Sequence, residues 1–258
     1  MVIAGLADAI ATFVHDGDTV ALEGFTHLIP VAAGQEIIRQ ARRNLTLVRM
    51  TPDIVYDQMI GAGTASKLIF SWGGNPGVGG LHRFRDAYQT GWPVPLEIEE
   101  HIHAGMANRY VAGASAQITC PFTGEVLAAV PALNPDVTII HAQRADRAGN
   151  VCLWGILGVQ KEAVLAAERS IVTVEEIVDE IEPVPGGMIL PSWAVSAVVE
   201  VPRGAWPSYA HGYYERDNAY YTAWDAVSRD REAFGAWLEE LCAQEARRGA
   251  VPSLPSSS

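Results

Sequence analysis

The chain has 258 residues, 49% hydrophobic and 19% charged, enough to bury a full core and better suited to one large α/β domain over residues 1–258 than to two small ones. Its formal charge is -12, and no basic run relieves the acidic excess, so neither a nucleic acid nor an anionic membrane is an expected partner. No apolar run approaches the roughly 18 residues of a membrane span, the first residues lack the charged region of a secretory signal, and the three scattered cysteines, Cys120, Cys152 and Cys242, offer neither a disulfide framework nor a CxxC metal site. A reducing cytoplasm is the expected setting.

Residues 3–14 (IAGLADAIATFV) read as an amphipathic helix closed by His15-Asp16-Gly17-Asp18. A short buried strand follows at 19–22, ending in Glu23-Gly24-Phe25-Thr26, then a helix over 31–43 and a strand over 45–50. Asp53 is placed to cap the next helix, which Gly61-Ala62-Gly63 ends. A strand at 66–72 runs into a glycine-rich segment, residues 73–80, and a helix over 81–90 stops at Gly91. Further strands are expected at 137–141, 170–174 and 197–201, and further helices at 159–169 and 230–248, with a turn at 148–150 and a frayed tail at 251–258. Strands alternating with helices at such short spacing predict βαβ units and a largely parallel sheet covered on both faces.

The stretch 96–113 (LEIEEHIHAGMANRYVAG) organises the rest. Residues 96–99 alternate apolar and acidic like a half-buried strand, the chain turns at Glu100-His101, and Met106, Tyr110 and Val111 recur at helical spacing. Ligands bind to open α/β sheets at such strand-to-helix junctions, and here Glu99, Glu100, His101 and His103 crowd together. A polar, solvated helix start accounts for the same residues. His101 and His103 are two apart, which is not the i, i+4 spacing by which one helix presents two ligands, so no metal is expected. Gly24 and the segment 73–80 follow strands, where glycine permits close approach of a ligand or simply punctuates a loop. Neither matches a dinucleotide or P-loop fingerprint, and no Gly-x-Ser-x-Gly elbow occurs. The aromatic cluster at 206–221 reads as a partner surface more than as a pocket wall.

Several stretches together resemble the family I CoA-transferases, in particular the A (α) subunits of glutaconate CoA-transferase-like enzymes. They are HDGDTVALEGFT (15–26), LEIEEHIHAG (96–105), the block from Pro121 through NPDVTIIHAQRADRAGN to AAERSIVTVEEI (166–177), and PSYAHGYYERDN (207–218). The resemblance implies a three-layer α/β/α sandwich with a mostly parallel open sheet. It implies a B (β) subunit as partner, commonly in an A2B2 assembly, that supplies a nucleophilic glutamate for ping-pong transfer through acyl-anhydride and glutamyl-CoA intermediates. This chain shows no counterpart of that glutamate's sequence context. The implied substrates are an acyl-CoA and a small carboxylic acid, with coenzyme A as part of a substrate and no tightly bound cofactor.

Aligning the junction with the family places His103 where a side chain points at the reacting carbonyl, a position at which relatives carry Gln and ring-cleaving hydrolase relatives carry Glu. Its imidazole could donate to an oxyanion or act as an acid-base group. Gly24, Phe25, Thr26, Ser71, Gly73, Gly74, Asn75 and Glu100 are the expected substrate-binding residues around it. Two other readings of the scaffold are an acyl-CoA hydrolase, C–C lyase or decarboxylase that uses His103, and a non-catalytic acyl-CoA-binding chain. Residues 116–120 make a shorter connection than in relatives.

Overall fold

A computed structural model of the chain describes residues 2–3, 5–114, 122–124 and 130–243. The tail at 251–258, the connection at 116–120 and Cys120 lie outside them. Among the described residues one ten-stranded sheet forms. Eight of its strands are β1 (Val2–Ile3), β2 (Thr19–Glu23), β3 (Leu45–Arg49), β4 (Ala65–Phe70), β5 (Glu97–Glu100), β6 (Val137–Asp146), β8 (Arg169–Val178) and β10 (Ala197–Glu200). They lie in the order β1-β10-β8-β6-β2-β3-β4-β5, every neighbouring pair parallel. Two short strands, β7 (Val151–Leu153) and β9 (Met188–Leu190), extend the sheet antiparallel from the end of β6.

Alternation along the strands assigns the two faces. Val20, Leu22, Leu47, Leu68 and Phe70 point into the larger core, beneath α1 (Leu6–Phe13), α2 (Val31–Arg39), α3 (Ile54–Gly61), α4 (His82–Thr90), α7 (Asn218–Arg229) and α8 (Arg231–Ala243). Ala21, Val48 and Ile69, the residues between, meet Met106, Tyr110, Ala163 and Ala166 of α5 (His103–Ala114) and α6 (Gln160–Ala166). Helices therefore cover both faces of a largely parallel open sheet, as the alternation of elements predicts. Asp53 accepts from Val55 N as the cap of α3, and Gly91, at φ +78°, terminates α4 in the left-handed conformation expected of a helix-ending glycine.

The differences from expectation have local causes. β6 and β8 each run for ten residues, well past their apolar stretches. The polar residues in the overhang are satisfied by the hairpin that follows: the Gln143 side chain donates to Trp154 O and accepts from Trp154 N, and Asp146 accepts from both the backbone and the side chain of Asn150. β1 and β9 are too short to show a period in the sequence. The helix α7 is also additional to the expected elements, with buried Tyr220, Tyr221, Trp224 and Ser228 along one face. The aromatic cluster at 206–221 makes several contacts with its own chain. Tyr213 and Tyr214 donate to Glu176 and Glu175, and Trp206 packs edge-on against Tyr220, ring centroids 4.3 Å apart.

Candidate active site

Parallel strands bring Glu23, Arg49, Phe70 and Glu100, the last residues of β2 to β5, to one edge of the sheet. Beneath that edge lies a buried polar row. Glu23 Oε1 accepts from Met50 N at 3.0 Å and from Tyr110 Oη of α5 at 2.9 Å. Burial pushes the Glu23 carboxyl above its ordinary range, against the pull of Arg49 and of these hydrogen bonds. The fully buried Arg49 guanidinium donates to both carboxylate oxygens of Asp53 and to Gly24 O. A matching cluster continues along β6 and β8, where His141 contacts Thr173 Oγ1 at 2.8 Å and Glu175 Oε1 at 2.7 Å. Burial raises the Glu175 carboxyl, but hydrogen bonds from His141, Tyr214 and Arg203 N outweigh it and leave the group below its ordinary range.

Residues 24–29 leave β2 in a tight loop. A Cβ on Gly24 would lie 2.7 Å from Leu28 O and 2.9 Å from His27 O, so the loop closes over a position without a side chain. Thr26 and Leu28 hold positive φ, and Thr26 O accepts from Ser208 Oγ. Beside them the fully buried His27 accepts from His211 N through Nε2. Burial is the main cause that lowers its pKa to about 4, so at neutral pH His27 is an uncharged acceptor.

Over the ends of β4 and β5 opens a cavity of about 580 Å³, bounded by the glycine-rich segment 73–80 and by α4. Gly73, Gly74, Asn75 and Glu100 line it, together with Arg85 and Tyr88. Asn75 is only 3% exposed, yet neither its amide nitrogen nor its oxygen has a partner among the described residues. The glycine-rich wall is held from behind by Asp225 of α7, which accepts from Gly80 N and contacts His82 Nε2 at 2.8 Å. Gly24, Phe25, Thr26 and Ser71 do not line this cavity; the Ser71 hydroxyl instead donates to Met50 O at 2.6 Å.

The four polar residues of the β5–α5 junction divide into two pairs. His101 Nε2 lies 2.8 Å from Glu99 Oε1, and Arg109 of α5 reaches both, while Lys67 of β4 also pairs with Glu99. The hydrogen bond from His101, then those from Lys67 and Arg109, hold the Glu99 carboxyl at about 2 despite some desolvation. Glu99 and His101 thus brace the turn. Glu100 and His103 are left exposed and form no ion pair or side-chain hydrogen bond with the described residues. His103 opens the first turn of α5 without capping it and stands outside the cavity lining, whereas Glu100 is within it. Sequence reasoning passes over Arg85 and the Arg109–His101–Glu99 brace; an i, i+3 relation of Arg85 to Tyr88 is readable on α4, but the absence of a partner for its charge is not.

This geometry is a sheet edge with a preorganised buried row, an open cavity and a free imidazole beside it. The family model described as Coenzyme A transferase matches residues 3–123 and 116–201. The A subunit of the 3-oxoadipate CoA-transferase of Pseudomonas knackmussii is 63% identical over 91% of this chain and 91% of its own length. The chain belongs to the coenzyme A transferase family. It is similar to the A subunit of the glutaconate CoA-transferase of Acidaminococcus fermentans, 33% identical over 91% of this chain and 86% of that one. The solved glutaconate coenzyme A-transferase superposes with a TM-score of 0.83 at 31% identity, covering 98% of this chain and 96% of that one. A variant of the decarboxylase AibA/AibB also superposes, with a TM-score of 0.73 at 25% identity over 92% of this chain and 98% of its own. These likenesses identify the chain as an A-type subunit of a family I CoA-transferase, in agreement with the resemblance of its motifs. Among the described residues no helix is long and apolar enough to cross a membrane, and no group of three His, Cys, Asp or Glu residues is placed to hold a metal.

Proposed function

We propose that the chain is the A-type half of a transferase that moves coenzyme A from an acyl-CoA donor to 3-oxoadipate or a close dicarboxylate, in a cytoplasmic A2B2 assembly with a B subunit. The observation that carries this reading is the 63% identity to the A subunit of a 3-oxoadipate CoA-transferase along 91% of both chains. The thioester is a substrate, and no tightly bound cofactor takes part. The nucleophilic carboxylate comes from the partner. In support, Glu23, the strand-end glutamate followed by glycine, is 2% exposed and committed to Met50 N and Tyr110, out of reach of a thioester. Glu99 is braced in the same way. Neither Glu23 nor Glu99 is free to attack, which supports a nucleophile and an activity supplied with the partner, and leaves Glu100 to the wall of the acyl site.

His103 then donates to the developing oxyanion, as a preorganised side chain does in acyl transfer generally. Its exposure and lack of a partner support a group that stays available to a substrate seated between the two chains. Gly73, Gly74, Asn75 and Glu100 form the wall of the acyl site, while Gly24, Phe25 and Thr26, with Ser71, shape the neighbouring edge. The decarboxylase likeness keeps a second chemistry open on this scaffold. Co-expression with a B-type subunit, followed by mass analysis of thioesters formed from a panel of short acyl-CoA donors and 3-oxoadipate, tests both. Exchange of the CoA group supports transfer. Loss of carbon dioxide without a new thioester supports decarboxylation, and a stable complex that does neither overturns both.

A further inference from the structure

The cavity beside β4 and β5 has a polarity that the transfer reading does not by itself supply. Among the described residues its wall contains a single cation, Arg85, and a single anion, Glu100, and the two are not paired with each other. Arg85 lies in the first half of α4 and is exposed, and its guanidinium forms no ion pair or hydrogen bond with the described residues. Other arginines around it are committed. Arg83 donates to the carbonyls of Ser228 and Arg229 and pairs with Asp86; Arg231 pairs with Asp86; Arg229 pairs with Asp225; and Arg216 donates to Pro76 O. Among the described residues the Arg85 guanidinium is left without a counter-charge, in a chain of net charge -12. Arg85 shares the cavity with the Asn75 amide, almost completely buried and with both polar atoms unpartnered among the described residues.

We infer that Arg85 is the specificity residue for the remote carboxylate of a dicarboxylic acyl group, with Asn75 as its neutral hydrogen-bonding companion. Guanidinium is suited to this because its planar donors match both carboxylate oxygens. Arg85 on α4 and Glu100 at the end of β5 then orient the substrate. A free carboxylate is drawn to Arg85 and repelled by Glu100, while an uncharged thioester carbonyl is tolerated at the Glu100 end, beside the β5–α5 junction and His103. A monocarboxylic acyl group has nothing to offer Arg85 and leaves that guanidinium without its counter-charge.

This inference rests on the proposed transfer function, so its test needs a readout that survives the failure of that function. With the holo-complex of A-type and B-type chains, kcat/KM is measured for 3-oxoadipate and for a monocarboxylate of equal chain length, in wild type, Arg85→Gln and Arg85→Lys. Binding of free adipate to the same complexes is measured in parallel by calorimetry. In Arg85→Gln the dicarboxylate-to-monocarboxylate ratio falls at least tenfold, mainly through KM, and adipate binding weakens at least tenfold, with Arg85→Lys intermediate in both. An unchanged ratio with unchanged adipate affinity overturns the assignment, as does an equal loss for both acids, which marks a structural role. If no complex transfers CoA, transfer is refuted, and the adipate titration alone decides whether Arg85 holds a carboxylate.

Discussion

Substituting Tyr110 with Phe isolates the link between α5, the helix that carries His103, and the buried row at the strand edge. Tyr110 and Glu23 are 0% and 2% exposed, and the phenol donates to Glu23 Oε1 at 2.9 Å. The substitution keeps the ring in the core with Met106 and Ala163 and removes only the donor. A hydrogen bond to a charged acceptor is worth about 1.5–3 kcal/mol and one to a neutral acceptor about 0.5–1.5 kcal/mol. Glu23 keeps Met50 N at 3.0 Å, so it is weakened rather than stranded. With Glu23 ionised the cost is therefore about 2 kcal/mol, read in urea as a lower midpoint at constant slope. The sign of the pH dependence follows from the raised carboxyl. A carboxyl whose folded pKa exceeds its unfolded value penalises the fold as pH rises past the unfolded value, and the penalty levels off above the folded one. Losing the Tyr110 donor raises the folded pKa further, so the cost of Tyr110→Phe is greatest where Glu23 is ionised and shrinks as pH falls and Glu23 takes up its proton. In a cycle with Glu23→Gln the two changes couple by about 1 kcal/mol. A cost below about 0.5 kcal/mol that does not vary with pH, or strict additivity, would refute the buried-row argument.

Gly24→Ala forces a Cβ against Leu28 O, His27 O and Ile29 Cα, and the loop 25–29 must shift; the expected loss is about 1–3 kcal/mol in thermal or urea unfolding, with lower transfer activity. His27 has its folded pKa lowered to about 4, so as pH falls the unfolded chain binds the proton first, and about 3 kcal/mol of stability disappears between about 6.5 and 4. His27→Gln retains an acceptor for His211 N and flattens unfolding free energy over that window; the same fall in the variant would clear His27 of it. His103→Ala, at an exposed and unpaired position, shifts stability by no more than about 0.5 kcal/mol while kcat for transfer falls by about 10²–10³. A kcat within threefold of wild type would remove His103 from the chemistry.

Much of the fold is legible in the chain itself because its signals are local. The runs at 19–22, 45–50 and 66–72 are strands since their alternate residues face two different helical layers, and Asp53 and Gly91 mark helix ends by their own side chain and backbone. The aromatic stretch hides a helix start because a boundary at Tyr221 falls partway along a helical face that runs on through Trp224 and Ser228. At the junction, the residue types are legible but their pairing is not. Glu99 and His101 are held by Lys67 and Arg109, which lie 32 residues before Glu99 and eight after His101, so only the assembled sheet separates this brace from the free pair Glu100 and His103. The same limit hides the cavity: glycines at 73–80 announce a loop, but Asp225, which fixes it, comes from the far end of the chain.

Burying charge is costly, of order several kcal/mol per ion, and apolar residues of similar volume often serve stability as well or better. This edge nevertheless buries Glu23, Arg49 with Asp53, and Glu175 beside His141. What these groups share is their second partner, a backbone atom of a segment leaving the sheet. Arg49 holds Gly24 O, Glu23 holds Met50 N, and Glu175 holds Arg203 N. Tyr214, bound to Glu175, also accepts from Ala205 N, and Ser71 adds a bond to Met50 O. An apolar row could fill the same volume but could not fix those backbones at chosen heights above the strands. The charges are therefore spent on loop position along the ligand-facing edge of the sheet. That division explains why Glu100, His103 and Arg85 can stand unpaired among the described residues: these buried pairs hold the loops without their help.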